Sequence, residues 1–237
     1  MVIRKRYWAF VYRLIVLFFG FYAMTVLVKD GALDGNYWAS FLTFETEVTL
    51  FSLLVVLAEV IANAIGLKMG NEGLAPGVWS PLFLCCLFYV LADTVTYFIT
   101  APIFYGTFIR DGHVQLFAIS RIVYPLLLLF DYILFGEKGT VKWKHALYWM
   151  IFPFFYFWIV LATNYLWSHD WFAYPYFNIV NYASSAIPGI AANGGWGGVW
   201  IFSGILLIGF VILAYAMIFF NFLWAGAYKK REPDRIN

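Results

Sequence analysis

Six long apolar stretches dominate this chain of 237 residues and restrict it to one class of fold. A helix needs about 20 consecutive apolar residues to cross a hydrocarbon core of about 30 Å. Each stretch is long enough, and none shows the alternation of apolar and polar residues that is typical of membrane β-strands. We therefore predict an all-α, polytopic membrane protein that forms a single transmembrane domain over residues 1–237. The six predicted spans are Trp8–Val28, Ser40–Leu67, Trp79–Ala101, Gln115–Gly136, His145–Ser168 and Val199–Ala225.

Composition supports the membrane assignment. Hydrophobic residues make up 64% of the chain and charged residues only 12%, with a mean hydropathy of +0.80, whereas soluble domains carry about 25% charged residues. The net charge of +2 is small, and no basic cluster interleaved with aromatic residues points to a nucleic-acid partner. The adjacent Cys85 and Cys86 form neither a disulfide framework nor a CxxC metal site. No metal or other cofactor is predicted.

The distribution of Lys and Arg predicts the orientation, because cytoplasmic loops carry an excess of these residues. With the N-terminus inside, the outer loops hold only Lys29 and Arg110. The predicted cytoplasmic side holds Arg4, Lys5, Arg6, Lys68, Lys138, Lys142, Lys144, Lys229, Lys230, Arg231 and Arg235. We therefore predict a multi-pass protein of the cell membrane with both termini in the cytoplasm.

Four ionisable residues lie in the outer halves of the predicted spans: Glu45, Glu47, Asp93 and Arg121. A charge in hydrocarbon costs about 2.5–3.5 kcal/mol, so each should be paired, face a cavity or serve a function. At about 1.5 Å per residue they lie about 8–12 Å below the outer surface, with Asn164 shallower. We predict that all five converge on an outward-opening polar pocket. Arg121 could pair with either Glu47 or Asp93, and the excess acid suits a cation, a proton relay or a polar lipid head.

A second cluster is predicted toward the inner side, from Arg13, Glu59 and Asp131. One cation and two acids at similar depth reduce their burial cost by pairing, which favours a structural role. Polar residues of the second span also follow one helix face, which in lipid must face the bundle interior. Thr43 and Glu47 fall on a different face. The members of this polar stripe are Glu45, Thr49, Ser52, Glu59 and Asn63.

The second half of the chain carries an ordered series of loose motifs. They are Arg121-Ile122-Val123-Tyr124-Pro125, Asp131, Phe135-Gly136-Glu137-Lys138-Gly139, Trp143, Ala146-Leu147, Pro153 and Tyr174-Pro175-Tyr176-Phe177-Asn178. Their order resembles the bacterial six-span relatives of the androgen-induced-gene family of membrane hydrolases, over roughly residues 40–225. That family splits fatty-acid esters of hydroxy fatty acids with a threonine and a histidine.

The resemblance implies that Thr43 is the family's threonine. It also places Arg121 where the family has its histidine, and Glu47 where most relatives have asparagine. A threonine nucleophile needs a base to take its proton, and arginine stays protonated. The resemblance therefore implies a catalytically divergent relative that binds a lipid or other amphiphile in the outer pocket. The alternatives are an ion- or proton-coupled transporter that uses the outer carboxylates, and a structural or accessory membrane subunit whose partners the sequence does not indicate.

Overall fold

The structure is a computed structural model that describes residues 6–33, 41, 43–71, 80–105, 107–109, 114–167 and 196–229. These residues are helical almost throughout, and none of them belongs to a β-strand. The prediction of an all-α chain is thus confirmed for the described residues. Five helices there are long and apolar enough to cross a membrane.

The helices follow the predicted spans closely, but the fourth and fifth predicted spans are each divided into shorter segments. They are α1 (Arg6–Leu33), α2 (Phe44–Lys68), α3 (Ser80–Tyr105), α4 (Val114–Ala118), α5 (Tyr124–Phe135), α6 (His145–Trp149), α7 (Ile151–Trp167) and α8 (Trp196–Lys229), with a π-helical turn at Ile119–Val123 between α4 and α5. The predicted fourth span, Gln115–Gly136, is divided by this turn and is therefore not one of the five long helices.

Thr43 sets the start of α2, which begins at Phe44 rather than at the predicted Ser40. The backbone of Thr43 is extended, and its side chain accepts a hydrogen bond from the N–H of Thr46. This is the geometry of an N-cap, which satisfies one of the N–H groups that a helix start leaves without a partner. Glu45 and Glu47 follow in the first turn, where negative charge interacts favourably with the helix dipole.

Helix α1 packs against α2 and α5, and Gly20 permits the close approach of the three helices. A Cβ atom at this position would lie 2.7 Å from Leu53 Cδ2 and 2.8 Å from Tyr124 Cε2. Small residues are enriched where membrane helices meet, because lipid supplies no hydrophobic force between helices and close packing must hold them together. Gly20 therefore fixes the spacing of α1, α2 and α5.

The short connection between α5 and α6 is bonded to two other helices, and Asn221 of α8 makes the first of these contacts. Its buried Oδ1 accepts from the Tyr132 hydroxyl at 2.6 Å and from the Gly139 N–H at 3.0 Å. Gly139 has a φ of +80°, which favours glycine. On the other side, Ser80 at the start of α3 donates to the Glu137 carbonyl at 3.1 Å. These contacts fix α3, α5 and α8 at one end of the bundle.

Candidate functional site

Arg121 lies in the middle of the π-helical turn, and Pro125 explains why the turn forms. In a regular α-helix the N–H of residue 125 would bond to the carbonyl of Arg121, but proline has no N–H and its ring would clash with that carbonyl. The helix widens instead, and the Tyr124 N–H bonds to the Ile119 carbonyl five residues back. Such turns within helices are frequent at functional sites. The local sequence thus places Arg121 on a wide turn.

Arg121 joins carboxylates from two other helices. Its Nη1 donates to Asp93 Oδ2 on α3, and its Nη2 donates to Glu45 Oε2 on α2. The guanidinium also lies over the Tyr97 ring, with Cζ 4.4 Å from the ring centroid, a geometry suited to cation–π attraction. All three charged residues are buried. We call Arg121, Asp93 and Glu45 the Arg121 cluster; one guanidinium there faces two carboxyl groups.

Two other residues predicted for the pocket or for catalysis, Glu47 and Thr43, lie elsewhere, and the side chain of a third is not described. Glu47 is exposed on another face of α2 and lines a groove between α2 and α3. Thr43 caps α2, and its Oγ1 also donates to Thr46 Oγ1 at 2.9 Å. Position 164 belongs to α7, but the side chain of Asn164 lies outside the described residues. Arg121 is therefore paired with Asp93 and Glu45, and Glu47 is not part of its cluster.

A half-open cavity of about 50 Å³ lies beside Asp93, between α2, α3, α7 and α8. This is room for a few water molecules or a small polar group. Four lining residues carry a polar group, namely Asp93, Thr96, Tyr156 and Ser203, and the others are apolar. We call this cavity the Asp93 pocket. Its full lining is Phe44, Asp93, Thr96, Pro153, Tyr156, Phe157, Ser203, Leu206, Leu207 and Phe210.

Ser203 is the residue of this pocket that sequence reasoning missed. It is only 5% exposed, and its Oγ has no hydrogen-bond partner among the described residues. A buried polar group without a partner costs about 1–3 kcal/mol. Thr96 differs, because its Oγ1 donates to the Ala92 carbonyl of its own helix at 2.8 Å. One feature of the sequence could have identified it: Ser203 is the only serine in the 34 residues of the strongly apolar α8.

The other predicted cluster forms between α1, α2 and α5. Arg13 Nη1 donates to Glu59 Oε2 at 2.8 Å, and Arg13 Nε lies 3.1 Å from each carboxylate oxygen of Asp131. Their exposed fractions are 4% for Arg13, 1% for Glu59 and 0% for Asp131. We call these three residues the Arg13 cluster. Within the described part of the chain, neither cluster belongs to a group of His, Cys, Asp and Glu residues arranged to hold a metal ion.

A packed layer separates the two clusters along α1, α2 and α5. On α2 it interrupts the polar stripe between Ser52 and Glu59. On the π-helical turn and α5 it lies between Arg121 and Asp131. The Tyr124 hydroxyl is 2.5 Å from Ser52 Oγ, which itself donates to the Thr49 carbonyl. Below that pair the layer is apolar and buried, and Val56 and Leu128 have no solvent exposure. Its members are Gly20, Leu53, Val56, Tyr124 and Leu128.

Comparison with known proteins identifies no relative: no protein-family model, no curated protein and no solved structure matches the chain. The resemblance to the androgen-induced-gene hydrolases therefore rests on the sequence motifs alone. One of these motifs, Tyr174-Pro175-Tyr176-Phe177-Asn178, lies outside the described residues.

Proposed function

We propose that the chain is a six-span protein of the cell membrane with both termini in the cytoplasm. Five long apolar helices support this topology. The remaining span, which is the fourth in chain order, consists of α4, the π-helical turn and α5, with 5, 5 and 12 residues. The backbone stays in the right-handed helical conformation where these segments meet. The excess of Lys and Arg on one side supports the orientation. Epitope tags at the two ends should both be protected from protease added outside intact cells.

In this topology the Asp93 pocket faces outward, and we infer that it binds the polar head of a membrane amphiphile. The observation that carries the inference is Ser203. A buried hydroxyl without a partner among the described residues lines a cavity that also presents a carboxylate, and a bound polar group would satisfy both. The pocket thus offers a specific polar contact inside an otherwise apolar site, which is the usual arrangement of a small-molecule pocket.

The composition of the Arg121 cluster determines which kind of polar headgroup the pocket can bind. Arg121 is shared between two acids, so the cluster has one acid more than it has bases, and Asp93 presents its carboxyl group to the pocket. An ammonium or hydroxyl head would donate to Asp93 and to Ser203 Oγ. A carboxylate or phosphate head would be repelled, because like charges in a medium of low dielectric constant interact strongly.

The size and the lining of the pocket fit an amphiphile whose small polar head lies inside the pocket and whose apolar tail lies outside it. The cavity of about 50 Å³ has no room for an acyl chain. Its apolar walls include Leu206 and Leu207 on α8, next to Ile205 and Ile208, which are 54% and 64% exposed on the face of α8 directed away from the core. The tail would therefore leave the pocket between α7 and α8 and remain in the lipid.

We further propose that the protein does not hydrolyse lipid esters by the family's threonine–histidine chemistry. Thr43 has a structural role as the N-cap of α2. Arg121, at the position of the family's histidine, is engaged by two carboxylates and cannot accept a proton. Both observations support a binding protein rather than a hydrolase of this type. Incubation with fatty-acid esters of hydroxy fatty acids should give no turnover, and a fluorophosphonate probe should label wild type and Thr43→Ala equally.

The binding proposal is tested with three amphiphiles of equal tail length: dodecylamine, dodecanol and dodecanoate. In nanodiscs, the first two should raise the melting temperature of the wild-type protein and dodecanoate should not. Ser203→Ala should weaken binding of both ligands about five- to tenfold through the lost hydrogen bond. Asp93→Asn should remove the preference for the amine over the alcohol.

The matched control is Thr25→Ala. Thr25 is exposed on α1 and its hydroxyl bonds to the Phe21 carbonyl of its own helix, so this change removes a hydroxyl far from the pocket. Binding should be unchanged in this variant. Equal shifts with all three amphiphiles, or full binding by Ser203→Ala, would contradict the proposal.

The transporter alternative draws support from the two clusters that share α2, each with one Arg and two acids. A coupled ion or proton would have to cross the packed layer between them, where Val56 and Leu128 are fully buried. We therefore favour binding over transport. Proton flux into liposomes that depends on both Asp93 and Asp131 would reverse this preference.

A further inference from the structure

A second and larger recess lies on the membrane-facing side of α2 and α3. Its volume is about 470 Å³, within the range of about 300–1,000 Å³ that is usual for small-molecule sites. We call it the Glu47 groove. It is lined by Glu47, Leu50, Phe51, Leu54, Leu82, Cys85, Tyr89 and Phe152.

The groove is distinct from the Asp93 pocket. Phe152 lines the groove and Phe44 lines the pocket. Their rings stack with centroids 5.6 Å apart and an angle of 24° between their planes. This aromatic pair forms a partition between the two recesses, so a ligand of one need not occupy the other.

Glu47 is the charged group of the groove. It lies in the first turn of α2, about 4.5 Å along the helix axis from Phe44. Its side chain is exposed, and within the described part of the chain no cation pairs with it. An exposed carboxylate at the edge of the hydrocarbon can pair with a positive charge from outside the chain.

The shape of the groove favours a lipid over a partner helix. Three helices surround it, because Phe152 of α7 closes the space between α2 and α3. Along α2 it extends from Glu47 to Leu54, about 10 Å, which is much shorter than the contact between two membrane-spanning helices. Its walls below Glu47 are aliphatic and aromatic, so they match an acyl chain.

We propose that the Glu47 groove binds a phospholipid whose headgroup carries an ammonium group. The ammonium pairs with the Glu47 carboxylate at the first turn of α2, and one acyl chain lies along Leu50 and Leu54 toward Leu82. Phospholipids with anionic headgroups are excluded by the same carboxylate. This site is independent of the Asp93 pocket and of what that pocket binds.

Native mass spectrometry of the delipidated full-length protein tests the proposal. Phosphatidylethanolamine and phosphatidylglycerol with identical acyl chains are offered in equal amounts. Wild type should retain phosphatidylethanolamine about tenfold more strongly, the effect of one charge-assisted hydrogen bond. Glu47→Gln, which keeps the shape and removes the charge, should lose this preference.

Two control variants and one chemical probe show whether the lipid occupies the groove itself. Glu137→Gln removes an exposed carboxylate outside the groove, and Ser203→Ala alters only the Asp93 pocket; both should keep the preference. Phosphatidylethanolamine should also slow alkylation of Cys85, which lines the groove, while the adjacent Cys86 is fully buried and should not react. Equal retention of both lipids by wild type, or an unchanged preference in Glu47→Gln, would overturn the proposal.

Discussion

The Arg13 and Arg121 clusters have the same composition and different surroundings. Each consists of one arginine, one aspartate and one glutamate from α2. The Arg13 cluster lies among α1, α2 and α5 below a packed apolar layer, and Asp131 there has no solvent exposure. The Arg121 cluster borders a cavity through Asp93. Access to a ligand, rather than the kind of residue, is what distinguishes a candidate binding site from a structural one in this chain.

The difference also extends to hydrogen bonding. Arg13 directs Nε and Nη1 to its two acids at 2.8–3.1 Å, which satisfies the buried charges within the protein. Beside the Arg121 cluster, the Ser203 hydroxyl is buried without a partner among the described residues. The first arrangement is complete in itself. The second leaves a polar group for a ligand, so the two sites should respond differently to the same substitution.

The largest effect is expected from Arg13→Met. This change leaves Glu59 and Asp131 as uncompensated buried carboxylates, which should cost about 3–5 kcal/mol in the free energy of unfolding. Unfolding by SDS titration from mixed micelles measures the loss. The triple variant with Glu59→Gln and Asp131→Asn added should recover most of the stability, because neutral amides no longer need the cation. No recovery in the triple variant would contradict a role based on charge pairing.

A smaller loss, about 2 kcal/mol, is expected from Arg121→Met in the same titration. Asp93 borders the pocket, so water or a bound ammonium can reach its carboxylate when the arginine is absent. Dodecylamine should therefore stabilise Arg121→Met more than it stabilises wild type, and it should not rescue Arg13→Met. If the two single variants lose equal stability and neither responds to the amine, the contrast between the clusters is wrong.

Gly20→Ala tests the packed layer that separates the clusters. The added methyl group would meet Leu53 and Tyr124 at under 3 Å, and overpacking of this kind costs about 1–3 kcal/mol. Gly209→Ala on α8 is the matched control, because no atom lies within 4 Å of the place that the added methyl group would take; it should leave stability unchanged or slightly raised. Similar unfolding curves for the two variants would show that α1, α2 and α5 are not held as closely as described.

The sequence was sufficient to predict the helices and the Arg13 cluster. Apolar runs of sufficient length specify helices in lipid, and Arg13, Glu59 and Asp131 lie at matching depths in neighbouring spans. The polar stripe also separated Glu45 from Glu47, since the two differ by about 200° around the helix. The prediction nevertheless named Glu47 or Asp93 as the partner of Arg121, whereas the structure pairs Arg121 with Asp93 and Glu45.

The rest of the candidate site depended on tertiary structure. The start of α2 at Phe44 follows from the cap at Thr43, and such boundaries are poorly defined by hydropathy. The π-helical turn needs Pro125 and a packed neighbourhood together. The pocket forms only because Asp93 of α3 and Ser203 of α8, which are distant in sequence, line the same cavity. A single serine in an apolar helix does not by itself indicate which helix it faces.

The smallest effect concerns Lys138, outside the spans at the end of the bundle nearer the Arg13 cluster. Burial lowers the pKa of Lys138 to about 7, and the negative charge of Asp131 opposes this change. Its Nζ donates to the Tyr132 carbonyl and lies 3.3 Å from the centroid of the Tyr132 ring. In the unfolded chain the pKa of lysine is about 10.4. Between these two values the unfolded state binds more protons, so stability should rise with pH above about 7 and level off near pH 10.4.

Melting temperatures in detergent at pH 6.5 to 9 should therefore increase by a few degrees for wild type, and Lys138→Met should flatten the profile. The exposed Lys142 is the matched control, and Lys142→Met should keep the wild-type dependence of melting temperature on pH.

Arg121→Met should also keep this dependence, because the Arg121 cluster is separated from Lys138 by the packed layer. Arg13→Met should instead shift the profile, because Asp131 loses the cation that stabilises its charged form and its favourable interaction with Lys138 becomes weaker. A shift of equal size in both arginine variants would show that charge is communicated across the layer, and the two clusters would then have to be treated as one electrostatic unit.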